Sequence, residues 1–173
     1  MKKHINKIKV QIARDGACIN TTVVIICAAV CAVLGIIFSI GGISSEVYDE
    51  IIQPKFYLPL FFMVLFNIIF YALLGAGAGI VISTPYYGKN QLKPISLFLA
   101  ATVLLLCYAW IPLVYTAKSF LIATFIYVIV LLFSAVIFRM YMRISRIAAW
   151  MMLIFSVFAL YMIFYSFTLF VIN

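Results

Sequence analysis

Five long runs of apolar residues, separated by short polar segments, dominate the sequence. They cover residues 21–43, 59–83, 95–117, 120–138 and 147–172. An α-helix needs about 20 apolar residues to cross the hydrocarbon core of a bilayer, and each run is about that long. The runs do not alternate apolar and polar residues, as the strands of a membrane β-barrel would. The pattern therefore predicts an all-α integral membrane protein, in which residues 21–173 form a five-helix transmembrane bundle behind a tail of residues 1–20.

The third and fourth runs are separated by one short segment that contains Lys118. A single helix through both runs would be about twice as long as a bilayer is thick. A lysine at the centre of a membrane helix is also costly. We therefore predict a tight hairpin with Lys118 at the water interface. The first run exceeds the usual length of a signal-peptide core, which predicts a retained signal-anchor helix.

The charged residues are distributed unevenly among the polar segments. Of the twelve Lys and Arg residues, all except Lys55 and Lys118 lie before the first run, between the second and third, or between the fourth and fifth. Three of the four acids, Glu46, Asp49 and Glu50, share the segment of Lys55. Basic loops stay on the cytoplasmic side of a membrane. We therefore expect a cytoplasmic N-terminus and, with five spans, a C-terminus on the other side.

The composition excludes a soluble globular domain. Hydrophobic residues make up 68% of the chain and charged residues 9%, and the mean hydropathy is +1.28. Too few polar side chains are present to cover a core. The net charge of +8 is concentrated beside the apolar runs, as membrane-flanking charge is, which argues against nucleic-acid binding. A basic tail without a transit-peptide profile favours a bacterial inner (cell) membrane.

Little in the apolar runs could carry out catalysis or active transport. No Asp, Glu, Lys, Arg or His lies in the middle of a run, whereas pumps and proton-coupled transporters need ionisable groups at depth. The single histidine, His4, lies in the tail and the cysteines lack paired CxxC spacing, so we predict no metal site and no cofactor. Without an acid–base pair at depth, we predict no catalytic residues. Gly75 and Gly79, one turn apart, indicate close helix packing.

A few polar and aromatic side chains share helix faces inside the runs. Asn67 and Tyr71 are one turn apart in the second run, and Cys107 and Trp110 share a face of the third. A buried amide needs a hydrogen-bond partner. One explanation is hydrogen bonding between helices within a packed core. The other is an aromatic-lined cavity for a flat or amphipathic ligand, with a few polar groups that orient it.

Three segments, taken in order, resemble the TspO/MBR family of tryptophan-rich sensory and translocator proteins. Tyr48 with Pro54 and Pro59 is similar to the family's first loop, residues 106–115 are similar to its third-helix pattern LNxxWSPLFF, and residues 146–173 are similar to its fifth helix. The resemblance implies five transmembrane helices and a sensory or regulatory receptor or carrier. Its ligand would be porphyrin-like (a tetrapyrrole) or another flat, lipid-like molecule, bound within the bundle among membrane lipids. Members of the family often form homodimers through their membrane helices.

The resemblance also implies which residues form the ligand site. Tyr48, Pro54 and Pro59 would shape a lid over the pocket. The cavity would be lined by Asn67, Tyr71, Cys107, Trp110, Tyr127, Phe158 and Met162.

Several family residues are replaced in this chain. Val47 and Phe56 stand where the first loop of the family has tryptophans, and Asn67 and Phe158 stand at pocket tryptophans. Breakdown of porphyrins, proposed for some members, is thought to need those tryptophans, so the replacements argue against an enzyme. Met162 in place of an alanine should narrow the cavity. Two other functions stay open, a non-catalytic subunit that packs against a larger membrane complex and a passive transporter for a small solute.

Overall fold

The computed structural model describes residues 19–42, 48, 50–54, 58–85 and 91–173. Residues 1–18 of the basic tail, Val47, Asp49, Phe56 and most of the segment around Lys89 lie outside the described residues. The described part of the chain forms five helices, which are α1 (Thr21–Gly42), α2 (Leu60–Ser83), α3 (Leu92–Tyr115), α4 (Phe120–Ile144) and α5 (Arg146–Ile172). Each is long and apolar enough to cross a membrane. The predicted all-α bundle of five membrane-spanning helices is confirmed.

Three helices are longer than the apolar runs that predict them, α5 by a single residue. α3 begins two residues before Pro94, which is tolerated because a proline in the first turn of a helix removes only an N–H that has no partner there. α4 continues six residues beyond its predicted end, so Arg139 and Arg143 are helical. Long arginine side chains can leave the apolar region while their backbone stays in the helix. Ser145 alone, in an extended conformation, joins α4 to α5.

The predicted hairpin between the third and fourth runs is present. α3 ends at Tyr115 and α4 begins at Phe120. Lys118 between them has a φ of 47°, in the left-handed region, which lets the chain reverse. The N–H groups of Thr116 and Ala117 both donate to the carbonyl of Pro112 at 2.9 Å, so a carbonyl at the end of the helix is paired.

The α4–α5 pair forms an extended antiparallel contact. Buried residues on α4 recur alternately every three and four positions, a spacing that produces left-handed, knobs-into-holes packing. The hydroxyl of Ser156 on α5 donates to the hydroxyl of Ser134 on α4 at 3.0 Å. The buried face of α4 consists of Ala123, Tyr127, Val130, Ser134, Ile137, Tyr141 and Ile144.

α1 packs chiefly on α2, through two glycines. A Cβ atom at Gly75 would lie 2.5 Å from the backbone oxygen of Cys27, and one at Gly79 would lie 2.8 Å from the Cα of Val24. Both distances are shorter than van der Waals contact, so only glycine permits this approach. The close helix packing predicted from the glycine spacing is therefore present.

The two ends of the bundle differ in character. The loop end holds residues 48 and 50–54, the α3–α4 turn and Asn173. The basic end, where α1 and α3 begin and α4 ends, holds Lys93, Arg139, Arg143 and Arg146. The buried core lies between α2, α3, α4 and α5.

Candidate ligand-binding site

Residues 48 and 50–54 are tethered across the loop end of the bundle. The side chain of Asn173 accepts a hydrogen bond from the N–H of Ile52 and donates one to the carbonyl of the same residue, both at 3.0 Å. On α5, the hydroxyl of Tyr165 donates to Oε1 of Gln53 at 2.9 Å. Nε2 of Gln53 donates in turn to the carbonyl of Tyr48 at 3.1 Å. These contacts hold the segment, which we call the lid, against the helix ends.

The predicted lid residues occupy different environments. Tyr48 is buried, and its hydroxyl donates to the carbonyl of Leu58 at 2.6 Å. Its ring lies 6.0 Å from the ring of Tyr115, the last residue of α3. Pro54 is buried as well, whereas Pro59 is exposed and only precedes the first residue of α2. Tyr48 and Pro54 therefore belong to the inner face of the lid, and Pro59 does not.

An ion pair also links the lid to the α3–α4 turn. Nζ of Lys118 lies 3.1 Å from a carboxylate oxygen of Glu50. Both side chains are more than half exposed. Exposed pairs contribute about 0–1 kcal/mol, so this pair holds the lid less firmly than the buried contacts do.

Trp110 lies beneath the lid at the junction of α3, α4 and α5. Its side chain is fully buried, and Nε1 donates to the hydroxyl of Ser166 at 2.9 Å. Its ring centre is 6.1 Å from that of Tyr115, 5.7 Å from that of Tyr127 and 6.3 Å from that of Tyr165. Rings at these separations and tilted orientations attract one another edge to face. Trp110 thus connects the lid to the interior.

The second helix adds Tyr71 and Asn67 to the same core. The hydroxyl of Tyr71 donates to the backbone carbonyl of Cys107 on α3 at 3.3 Å. Nδ2 of Asn67 donates to the carbonyl of Met63, one turn earlier in its own helix, at 2.8 Å. Oδ1 of Asn67 is buried and has no hydrogen-bond partner among the described residues. The Asn67 side chain therefore has a hydrogen-bonded nitrogen and an oxygen without a partner among the described residues.

A wall of nearly parallel rings runs along α5 from α2 towards the lid. Phe70 and Phe158 stack with their centres 4.1 Å apart and their planes 10° apart. Phe158 and Tyr161 follow at 6.5 Å and 29°, and Tyr161 and Tyr165 at 6.2 Å and 22°. The wall presents successive aromatic faces in similar orientation, which suits a flat conjugated molecule.

The predicted lining residues are all buried. They are Asn67, Tyr71, Cys107, Trp110, Tyr127, Phe158 and Met162. Direct contacts join Tyr71 to Cys107 and Trp110 to Tyr127, and the ring wall connects Phe158 to Trp110 through Tyr161 and Tyr165.

Sequence reasoning missed the residues that make these connections. Phe70 lies three positions after Asn67, and Tyr161 lies three after Phe158, so helical spacing alone could have indicated both. No pattern marked Gln53, whose role depends on where the lid crosses α5.

Two buried polar atoms of this core, on different helices, have no hydrogen-bond partner in the described part of the chain, and they are Oδ1 of Asn67 on α2 and the hydroxyl of Tyr161 on α5. An unpaired buried polar group costs about 1–3 kcal/mol, so two of them in one core need an explanation. The hydroxyls of Tyr115 and Tyr127 interact with polar side chains instead, the first with Tyr165 and the second with Tyr71 and Cys107. Within the described residues no group of three His, Cys, Asp or Glu side chains could hold a metal ion. The arrangement can therefore stack against and hydrogen-bond a ligand.

Comparison with known proteins agrees with this geometry. The model of the TspO/MBR family matches residues 23–172, which span all five helices and the lid. No curated protein matches the chain. The match covers nearly the whole chain, including all five apolar helices. The chain therefore belongs to the TspO/MBR family, as a multi-pass membrane protein with a receptor- or transporter-type role.

Proposed function

We propose that this protein is a sensory or regulatory receptor, or a carrier, that binds a porphyrin-like or other flat amphipathic ligand in the core beneath the lid. The observation that carries the proposal is the combination of the ring wall with two polar atoms that are unpaired among the described residues, Oδ1 of Asn67 and the hydroxyl of Tyr161. A flat macrocycle stacks on aromatic faces. Its polar edge supplies hydrogen bonds that the core lacks.

Entry of the ligand requires the lid to move. In this structure rings and side chains fill the space between α2 and α5, with Phe70 and Phe158 in direct contact. A ligand that inserts between helices must therefore displace rings, and the lid tethers at Gln53 and Ile52 must release. We propose that ligand affinity includes this opening cost, which favours slow exchange and suits sensing or buffering.

We further propose that the bundle lies in a bacterial inner membrane with its basic end in the cytoplasm. Lys93, Arg139, Arg143 and Arg146 cluster at that end. Basic residues beside membrane helices stay preferentially on the cytoplasmic side.

Fluorescence quenching by protoporphyrin IX tests the ligand site. The two tryptophans allow an internal comparison, because Trp110 is fully buried in the core and Trp150 is 59% exposed on the outer surface of α5. In the Trp150→Phe variant, Trp110 is the sole reporter. We expect saturable quenching of Trp110 in that background. We expect only linear, detergent-dependent quenching of Trp150 in the Trp110→Phe variant.

Matched substitutions locate the binding surface. Phe158→Ala removes a ring of the wall, and Phe164→Ala removes an exposed ring from the same helix. We expect Phe158→Ala to weaken binding at least about fivefold, since a stacked ring contributes about 1 kcal/mol beyond its buried area, and Phe164→Ala to leave binding unchanged. Asn67→Leu should also weaken binding, with Thr102→Val on the exposed face of α3 as its control. Equal affinity in all four variants would show that the porphyrin partitions into detergent and does not occupy this core.

A further inference from the structure

A second concave surface lies outside the aromatic core, between α1 and α3. It is a groove of about 310 Å³ whose floor is formed by α2. At the loop-side end of the groove, the hydroxyl of Tyr108 donates to the carbonyl of Cys31 at 2.8 Å, and the rings of Phe38 and Tyr108 stack at 4.9 Å. These contacts hold α1 against α3 there. Nearer the basic end the walls stand apart, and the lining includes Ile26, Val30, Ala78, Leu97, Ala101 and Leu104.

The length of the groove suits one hydrocarbon chain. Its floor extends along α2 from Leu74 to Ile82, which is about 12 Å at the rise of an α-helix. One leaflet of a bilayer core is about 15 Å deep, half of about 30 Å. An acyl chain in one leaflet can therefore lie along most of its length in the groove.

The groove opens sideways, in the direction of the membrane. Ile26 and Val30 on its α1 wall are 56% and 52% exposed. The described lining is apolar, apart from the thiols of Cys27 and Cys31. Lipid chains reach such a surface without crossing water. Van der Waals packing between the chain and the groove then decides whether a lipid is retained.

A lysine lies at the basic end of the groove. Nζ of Lys93 donates to the carbonyl of Ile82 at 2.8 Å and to that of Thr84 at 3.0 Å. Ile82 lines the groove, and Leu97, which also lines it, follows Lys93 by one helical turn. An ammonium group has three donors, so one remains for an anion. Among the described residues the single acid, Glu50, lies at the opposite end of the bundle.

We propose that this groove binds one phospholipid with an anionic headgroup. An acyl chain lies along α2 between α1 and α3, and the headgroup phosphate accepts a hydrogen bond from Lys93. The length of most of one leaflet, the apolar lining and the cation at one end together specify this class of ligand. The groove is separate from the core beneath the lid.

Native mass spectrometry of the full chain in mild detergent tests the proposal, with phosphatidylglycerol and phosphatidylcholine added in equal amounts. We expect one retained phosphatidylglycerol per chain and a preference of about fivefold over phosphatidylcholine, the effect of one lysine at a membrane surface. Ala101→Phe fills the groove and should abolish retention. Ala135→Phe on the exposed face of α4 is the matched control and should retain the lipid. Val30→Phe fills the groove from α1 and should also abolish retention, so the proposal can still be tested if Ala101→Phe does not fold.

The headgroup contact has its own pair of variants. Lys93→Gln keeps a hydrogen-bond donor but removes the charge, so we expect the preference to fall to about one while phosphatidylcholine is still retained. Arg139→Gln removes an exposed charge at the same end and should leave the preference unchanged. Equal lipid retention by Ala101→Phe and Ala135→Phe would overturn the proposal. So would a lipid-free dimer that Ala101→Phe converts to a monomer, because the groove would then be covered by a second copy.

Discussion

At the scale of single residues, the two tryptophans of this chain have opposite environments. Trp150 is exposed on the outer surface of α5, whereas Trp110 is fully buried and makes contacts on three helices. An indole N–H can only donate a hydrogen bond, so a buried tryptophan depends on one acceptor. Ser166 provides it.

Removal of that hydroxyl should destabilise the core. We predict that Ser166→Ala lowers the free energy of unfolding by about 1–3 kcal/mol, because the Trp110 N–H is left unpaired. Thermal melting in detergent measures the loss, and the emission of Trp110 in the Trp150→Phe background reports the change at the indole. Thr168→Ala on the same helix is the control, since that hydroxyl bonds only to Phe164 of its own helix. Equal melting temperatures for the two variants would contradict the prediction.

At the scale of elements, the packing of α1 depends on two glycines of α2, and the position of the lid depends on hydrogen bonds to α5. In both cases one segment is held by contacts at a few backbone positions. Gly75 and Gly79 let the backbones of α1 and α2 touch. Asn173 pairs with both polar backbone groups of Ile52, as a neighbouring strand would.

Alanine substitutions distinguish the close glycines from an ordinary one. A Cβ at Gly75 would lie 2.5 Å from the Cys27 oxygen, whereas one at Gly77 would lie 3.7 Å from its nearest neighbour, the Ala148 oxygen. We predict that Gly75→Ala destabilises the protein by about 1–3 kcal/mol through overpacking. Gly77→Ala should be neutral or stabilise by up to about 1 kcal/mol through helix propensity. Thermal melting of both variants in detergent is the measurement. A similar loss of stability in both would show that the close approach of α1 and α2 does not determine the effect of Gly75→Ala.

The lid tether can be tested without a ligand. We predict that Asn173→Ala raises the hydrogen-exchange rate of the Ile52 amide at least tenfold, because both side-chain hydrogen bonds to that residue are lost. Lys118→Met removes only the exposed pair with Glu50 and should change exchange by less than about fivefold. Hydrogen exchange followed by mass spectrometry of the lid peptide compares the two. Faster exchange in Lys118→Met than in Asn173→Ala would reverse our assignment of what holds the lid.

At the scale of the whole molecule, the bundle has a loop end with a tethered lid and a basic end with clustered arginines. The aromatic core lies nearer the loop end, and the lateral groove lies nearer the basic end. The ligand of the core beneath the lid and the lipid of the groove would therefore bind within opposite leaflets of the membrane.

Topology reporters test the orientation of the bundle. We predict that green fluorescent protein fluoresces when fused before residue 1, and that alkaline phosphatase is active when fused after Asn173, because the basic end stays in the cytoplasm. The reciprocal fusions should be dark and inactive. Activity of phosphatase at the first position would place the lid in the cytoplasm instead.

The sequence by itself determined the class of protein and the number of helices. A helix in lipid satisfies its own backbone hydrogen bonds, so the length of each apolar run is enough to predict a span. The α3–α4 hairpin was predicted from Lys118, because the charge of a lysine avoids the hydrocarbon core. The family pattern then pointed to Tyr48, Pro54 and the buried lining residues, although it also included the exposed Pro59.

Only the tertiary structure decided which faces of the helices meet. Lipid chains and protein interior are equally apolar, so a membrane helix carries almost no hydrophobic signal for its buried side. For this reason Trp110 and Trp150 look alike in the sequence, while one lies in the core and the other on the outer surface. The ring wall through Phe70 and Tyr161, the tether at Gln53 and the groove between α1 and α3 arise where separate helices approach. Such contacts depend on side-chain shape and backbone distance, which no single run of residues encodes.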